Sequence, residues 1–269
     1  MVTPDSQTRV RPLEQFKRRV THSRWAWFLR GLPSLDRALT FFRARRHTMT
    51  SLERCLNLWA LCQRVIDRKI PGVFVECGVW RGGSALIMGT ILKRTGQQRL
   101  LHLFDSFQGL PEPGAEDGTE AVEYSDGKTE GRLIPVAKCD ASLDLVKTAL
   151  FRDGGLNAAA VRFHVGWFQD TLPIAARDLG PVAVLRLDGD WYASTQVCLE
   201  HLYPLLSPGG VLILDDYYCW EGCKKATDEY RARHGIATPL VQVDAACCYW
   251  IKPEVEGGLV SAPPPSTRA

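Results

Sequence analysis

The feature that most constrains this chain is a repeated unit. A short, unbroken apolar run stops at a glycine or a carboxylate and gives way to a polar or helical stretch. Val73–Val79, Leu100–Phe104, Val161–Val165, Val182–Leu187 and Val211–Leu214 are five such runs. Strands that are apolar throughout, rather than in alternation, belong to parallel sheets covered on both faces. Ser51–Lys69, Ser84–Lys93, Asp144–Phe151, Thr195–Leu206 and Cys223–Arg233 read as the covering helices. The expected fold is therefore α/β, with a mostly parallel sheet and helices on both faces. Ligands of such sheets bind beyond the carboxyl ends of the strands. Those ends carry Glu76 and Gly78, Asp105, Gly166, Asp188 and Asp190, and Asp215 and Asp216.

Length and composition set the outer bounds. With 269 residues, 45% of them hydrophobic and 23% charged, the chain suffices for one substantial core. It contains no apolar run of membrane-spanning length and no amino-terminal secretory pattern, so a cytoplasmic protein that does not engage a membrane is expected. The nine cysteines are odd in number and form no CxxC pair, which favours reduced, buried thiols over disulfides or a zinc site. Residues 1–46 hold eleven Lys or Arg against three acids. Trp25, Trp27, Phe28, Leu29, Phe41 and Phe42 are interleaved with them, so this arm reads as amphipathic, packing on the body or on a second copy in a homo-oligomer. Nucleic-acid binding and a transit peptide are the readings it displaces. Residues 47–253 form the expected catalytic domain, within which 111–132, rich in Gly, Pro and acids, reads as a mobile lid. Residues 254–269 read as a disordered tail.

Three constellations carry chemistry. The first, Glu76-Cys-Gly-Val-Trp-Arg-Gly-Gly-Ser84, joins a strand to a helix and lets a ligand approach the backbone closely. It is neither GxGxxG nor a P-loop, which disfavours phosphate, and its acid suits a ligand amine or hydroxyl. The second is Asp105, placed at its strand end to accept both ribose hydroxyls of a nucleoside; a turn-forming Asp is the plain alternative. Together they suit a nucleoside cofactor without a critical pyrophosphate, and S-adenosyl-L-methionine fits. The third is the pair of endings LRLDGD and LILDD. If their strands are neighbours, Asp188 lies beside Asp215 and Asp216, and three such carboxylates resist joint ionisation without a cation among them. An all-oxygen donor set suits Mg²⁺. Helix capping by Asp215 and Asp216, with Asp190 in a turn, is the structural alternative.

The segments HTMTSLERCLNLWALC, VFVECGVWRGGSA, LFDSFQGLPEP, VGWFQDTLP, LRLDGDWYAST and GGVLILDDYY, in that order between His47 and Tyr218, resemble the macrocin O-methyltransferase family. These are metal-dependent S-adenosylmethionine enzymes that methylate sugar hydroxyls of antibiotics. The resemblance implies a Rossmann-like class I methyltransferase fold. It further implies that Thr48 and Met49 close over the cofactor. Glu76, Gly78, Trp80, Gly82, Gly83 and Ser84 would surround its methionine part. Asp105 and Ser106 would meet the ribose, and Gly166, Trp167 and Phe168 the adenine side. Asp188, Asp215 and Asp216 would be the metal ligands, with Asp188 also beside the cofactor. Being both metal-bound and close to the acceptor oxygen, Asp188 is then the expected proton acceptor. Asp190 is left as either a ligand or a substrate contact.

The expected substrate is a small glycosylated molecule, with a phenolic or catechol hydroxyl as the alternative, since Trp191, Tyr192, Tyr217 and Tyr218 suit either ring. A nucleotide-sugar glycosyltransferase also uses Asp-x-Asp with a divalent ion, but it gives Asp215, Asp216 and the glycine loop no task. A binding module with a dead site has no need of these acids and glycines.

Overall fold

The computed structural model describes residues 35–254. Its centre is a seven-stranded sheet in the order β3-β2-β1-β4-β5-β7-β6. The strands are β1 (Val73–Cys77), β2 (Leu101–Asp105), β3 (Val161–Val165), β4 (Val182–Leu187), β5 (Leu206–Leu214), β6 (Val241–Gln242) and β7 (Cys248–Ile251). The first five pair in parallel, and β7 runs antiparallel to both of its neighbours. Strand order reverses between β1 and β4, the switch point where a crevice opens in such sheets.

The unbroken apolar runs are explained by cover on both faces. Phe74, Val184 and Ile213 point into one core, with α1 (Leu35–Ala44), α2 (Leu52–Asp67) and α3 (Gly83–Arg94). Val75, Leu185 and Leu212 point into the other, with α6 (Phe168–Ala175), α7 (Tyr192–Leu202) and α8 (Glu221–Arg233). Helix α2 starts where Ser51 accepts the Arg54 amide, and its buried residues Leu52, Cys55, Leu58, Trp59, Cys62 and Val65 recur at helical spacing. Among the described residues, no helix is long and apolar enough to cross a membrane.

Several elements depart from expectation. Helix α1 buries Ala38, Phe41 and Ala44, and Phe41 meets Trp59 edge to face at 5.7 Å. The core therefore begins before residue 47, and residues 35–46 of the basic arm pack on the body. Residues 1–34 and the tail beyond Glu254 lie outside the described residues. Helix α7 ends at Leu202, and β5 begins at Leu206. Ser-Pro-Gly-Gly reads as a breaker, yet it forms an irregularity inside the strand, where Leu206 pairs with Val182 and Val211 with Val184. Helix α6 was unexpected because Pro173 interrupts its pattern. The stretch read as a lid contains a helix, α4 (Gly118–Tyr124), and is tied within itself by Arg132, which grips the buried Glu112 at 2.8 and 2.9 Å. The helix expected over 144–151 is α5 (Leu143–Lys147), continued by a wider turn over Thr148–Asp153.

Candidate active site

A cavity of about 980 Å³ opens over the carboxyl ends of β1, β2, β4 and β5. Thr48, Met49, Gly78, Trp80, Gly83, Ser84, Asp105, Ser106, Gly166, Trp167, Phe168, Asp188, Asp190, Asp215 and Asp216 all line it. Residues drawn from six separate segments thus meet around one space.

The β1 side is built from backbone. Gly78 sits at φ +86°, and a Cβ there would fall 1.8 Å from the Asp188 carbonyl oxygen, so only glycine lets β1 and β4 diverge at this point. At the start of α3, the Gly83 amide donates to the His47 carbonyl at 2.8 Å. A Cβ on Gly83 would lie 2.6 Å from that oxygen and from Thr48 Cβ. The 47–50 segment therefore crosses directly over the glycine loop. Asp105 accepts the amides of Val79 at 2.7 Å, Trp80 at 3.0 Å and Phe107 at 2.7 Å. Three of its roughly four acceptor positions are in use, so it braces the loop and keeps one direction for a hydroxyl.

Two expected cofactor contacts, Glu76 and Gly82, do not line the cavity, and the hydroxyl of a third, Ser106, is engaged in a turn. Glu76 is buried and does not line the cavity, because strand alternation turns it toward α2. Gly82 caps α3 at φ +87° with its bare side toward Val146, not toward the cavity. Ser106 lines the cavity, but its hydroxyl donates to the Gly109 carbonyl at 2.9 Å and accepts the Gln108 amide at 3.1 Å, so it serves the turn.

The β4–β5 side is built from charge. The register sets Leu187 beside Leu214, which brings Asp188 next to Asp215 and Asp216. One oxygen of each lies within 4.8 Å of the others. The sequence reading missed the two arginines that already stand among them. Arg186 reaches Glu76 Oε1 at 3.0 Å, Asp188 Oδ2 at 2.8 Å and Asp215 Oδ1 at 2.7 Å. Arg54 on α2 pairs with the other Asp215 oxygen and with Asp244 Oδ2 at 2.8 Å. Both guanidiniums are almost wholly buried, where they hold carboxylates in fixed geometry.

Two arginines do not balance this many acids. Burial, opposed by Arg186, pushes Glu76 up to about 8, and its Oε2 has no hydrogen-bond partner among the described residues. Burial and then the neighbouring carboxylates raise Asp216 and Asp190 well above the carboxylate range. Asp188 is raised by burial and pulled back by Arg186. Asp216 has no arginine within hydrogen-bonding reach, so the excess negative charge and the all-oxygen donors fit a hard divalent cation. Asp215 would have to share its oxygens between that cation and the guanidiniums.

The sequence profile of the macrocin O-methyltransferase (TylF) family matches residues 39–252. The chain belongs to this family. Two curated relatives are similar across three quarters of the molecule. The 8-demethyl-8-(2,3-dimethoxy-alpha-L-rhamnosyl)-tetracenomycin-C 4'-O-methyltransferase of Streptomyces olivaceus is 41% identical over 76% of this chain and 75% of its own. The mycinamicin III 3''-O-methyltransferase of Micromonospora griseorubida is 37% identical over 76% and 78%. Among solved structures, the O-methyltransferase NovP is 38% identical and superposes with a TM-score of 0.67 over 77% of this chain and 83% of NovP. This member of the macrocin O-methyltransferase family is thus an S-adenosylmethionine-dependent O-methyltransferase with the class I fold.

Beyond the arginines, the macrocin O-methyltransferase site contains residues that sequence reasoning passed over. His47, Leu110, Tyr124, Lys138, Cys139, Cys219 and Trp220 also line the cavity. Arg186 had a signal: it is the one charge inside VAVLRL, and a buried charge demands partners. Trp220 and Tyr124 had none, since aromatic residues near a loop are ordinary. All nine cysteines are free thiols, seven of them buried.

Proposed function

We propose that this enzyme methylates a sugar hydroxyl of a glycosylated natural product, with Mg²⁺ held by Asp188, Asp215 and Asp216. The observation that carries the metal is the unbalanced carboxylate cluster facing the cavity. The sugar is supported by the names of the two relatives, one acting on a rhamnosyl-tetracenomycin and the other on mycinamicin III.

When bound, S-adenosylmethionine supplies an activated methyl group and the cation makes a nearby hydroxyl more acidic. The chain's own residues do the rest. Asp105 orients the nucleoside, the 78–84 loop walls the methionine part, and the 47–50 segment covers the cofactor. Arg186 keeps Asp188 and Asp215 in place, so no reorganisation is needed as charge develops on the acceptor oxygen. Asp188 would take the acceptor proton as the oxygen gains the methyl group, the sulfur–methyl bond breaking with its electron pair left on sulfur so that S-adenosylhomocysteine departs. A second reading assigns that proton to Asp190, because Asp188 is bound to a guanidinium while Asp190 is held only by the neutral Trp220 indole at 2.8 Å.

The test begins with calorimetry of S-adenosylhomocysteine, with Mg²⁺ and in chelator. Binding in both, followed by methylation of mycinamicin III or the rhamnosyl-tetracenomycin only when Mg²⁺ is present, is the expected outcome. No binding in either removes the reading. Methylation of catechols but not of glycosides moves the acceptor to the phenolic class. Asp188→Asn abolishes turnover and leaves the affinity for S-adenosylhomocysteine within about twofold, because losses confined to the transition state spare ground-state binding. Near-normal turnover there, with loss in Asp190→Asn, assigns the proton to Asp190. A cytoplasmic location is supported by the nine unpaired thiols. Self-association through the arm belongs to the same reading, and sedimentation of the full chain tests it.

A further inference from the structure

We infer that Trp220 is a positioning residue for Asp190, and that through Trp191 it makes the seating of residues 111–124 and the aim of this carboxylate a single event. The inference rests on the reading that Asp190 faces the acceptor. Asp190 is a non-glycine residue at φ +57°, a conformation that needs outside support. Its backbone amide points to Asp216 Oδ2 at 3.3 Å, and its Oδ1 accepts the Trp220 indole N–H at 2.8 Å. The Trp220 ring stands edge to face on Trp191, with centroids 5.0 Å apart. Trp191 in turn donates its indole N–H to the Pro111 carbonyl at 2.9 Å, at the start of the segment expected to act as a lid. Further along that segment, the last residue of α4 closes the circuit, since Tyr124 packs on Trp220 at 5.5 Å and on Trp191 at 6.5 Å. Between them, Asp117 Oδ1 accepts the amide of Tyr192, the first residue of α7.

Two indole N–H groups of one edge-to-face pair thus reach different partners, one the active-site carboxylate and one the segment. Packed aromatic pairs have few alternative arrangements. If the segment lifts, Trp191 loses its anchor and Trp220 loses the surface that orients it.

The experiment uses the full chain, ¹⁵N-labelled and free of ligands. The Trp220 indole resonance is identified by its disappearance in Trp220→Phe, which keeps a ring and removes one donor. Trp191→Phe removes no hydrogen bond to the Asp190 carboxylate, yet it is expected to shift the Trp220 resonance upfield, the sign of a weakened bond to a carboxylate. It also raises amide exchange across 111–124 roughly fivefold, as losing one neutral hydrogen bond would. In the other direction, Asp190→Asn shifts the same resonance and speeds exchange in the same segment, to which Asp190 makes no hydrogen bond. A Trp220 resonance unmoved by Trp191→Phe, or exchange in 111–124 unmoved by Asp190→Asn, overturns the coupling. Unchanged melting temperatures exclude general unfolding. Because the readout needs neither cofactor nor acceptor, a failure of this coupling is distinguishable from a failure of the proposed Mg²⁺ site or sugar acceptor.

Discussion

The two halves of the cleft reach rigidity by opposite routes. On the β1–β2 side, the loop is held by backbone amides on Asp105 and by glycines that let chains pass within contact distance. On the β4–β5 side, geometry is held by long charged side chains from distant parts of the sequence, and the charges do not cancel. The first arrangement suits a ligand bound in the same way every cycle. The second holds more carboxylates than its arginines balance, a potential that proton uptake or a cation relieves. One half is a mould, and the other is a field.

The largest effect is expected where the field is cut. Arg186→Met leaves Glu76, Asp188 and Asp215 without their shared guanidinium and costs about 3–5 kcal/mol, the usual result of removing one partner from a buried ionic group. Urea denaturation measures it. Arg186→Lys recovers only part, since one ammonium does not span three carboxylates. A loss below about 1 kcal/mol in Arg186→Met would mean that the acids are neutral without it, and the contrast between the halves would dissolve.

A smaller, more local effect tests the mould. Gly83→Ala pushes a methyl into His47 and Thr48 and costs about 1–3 kcal/mol of overpacking. S-adenosylhomocysteine binds roughly tenfold more weakly as the 47–50 segment is displaced, a shift of about 1.4 kcal/mol read by calorimetry. Unchanged affinity would show that this segment does not touch the cofactor.

The mould half is legible in the sequence because its logic is local. Gly78, Asp105 and the strand ends follow one another along the chain, and five strands with their helices announce the fold. The acids Asp188, Asp215 and Asp216 are legible because parallel strands in register end side by side. What escaped is what alternation within a strand decides. Glu76, Arg186 and Asp215 share one face of the sheet with Phe74, Val184 and Ile213, the face that α2 covers. That period of two puts Glu76 under the sheet surface, not in the cleft, and directs Arg54 of α2 at Asp215. Nothing in the local sequence says that Arg54 also meets Asp244, because that contact depends on how the far end of the chain returns.

The smallest expected effect lies away from both halves and serves as their control. His102 Nδ1 and His164 Nε2 are 3.0 Å apart between β2 and β3. Burial, then His164, pulls His102 from an ordinary 6.5 down to about 4. The unfolded chain therefore binds the proton first as pH falls. Above pH 6.5 both forms are neutral and this pair leaves stability flat; between about 6.5 and 4 stability declines. Melting temperatures across that range should fall less steeply in His102→Phe than in the wild type. Equal slopes would mean that this histidine pair does not carry the acid sensitivity, and the carboxylates raised by burial would not carry it either, since they gain protons on folding.

The contact between Arg54 and Asp244 has a consequence for how the protein comes into being. The two residues are 190 positions apart, and Ser51, which caps α2, bonds to the same Asp244 oxygen. A nascent chain that has left the ribosome only as far as β5 already presents its glycine loop and its clustered acids, but the arginine above Asp215 still lacks its second anchor. Contacts of such long separation form late. The arginine over Asp215 gains its second anchor only once Asp244 has been made, so a product truncated before Asp244 is expected to lack this brace on its acid cluster.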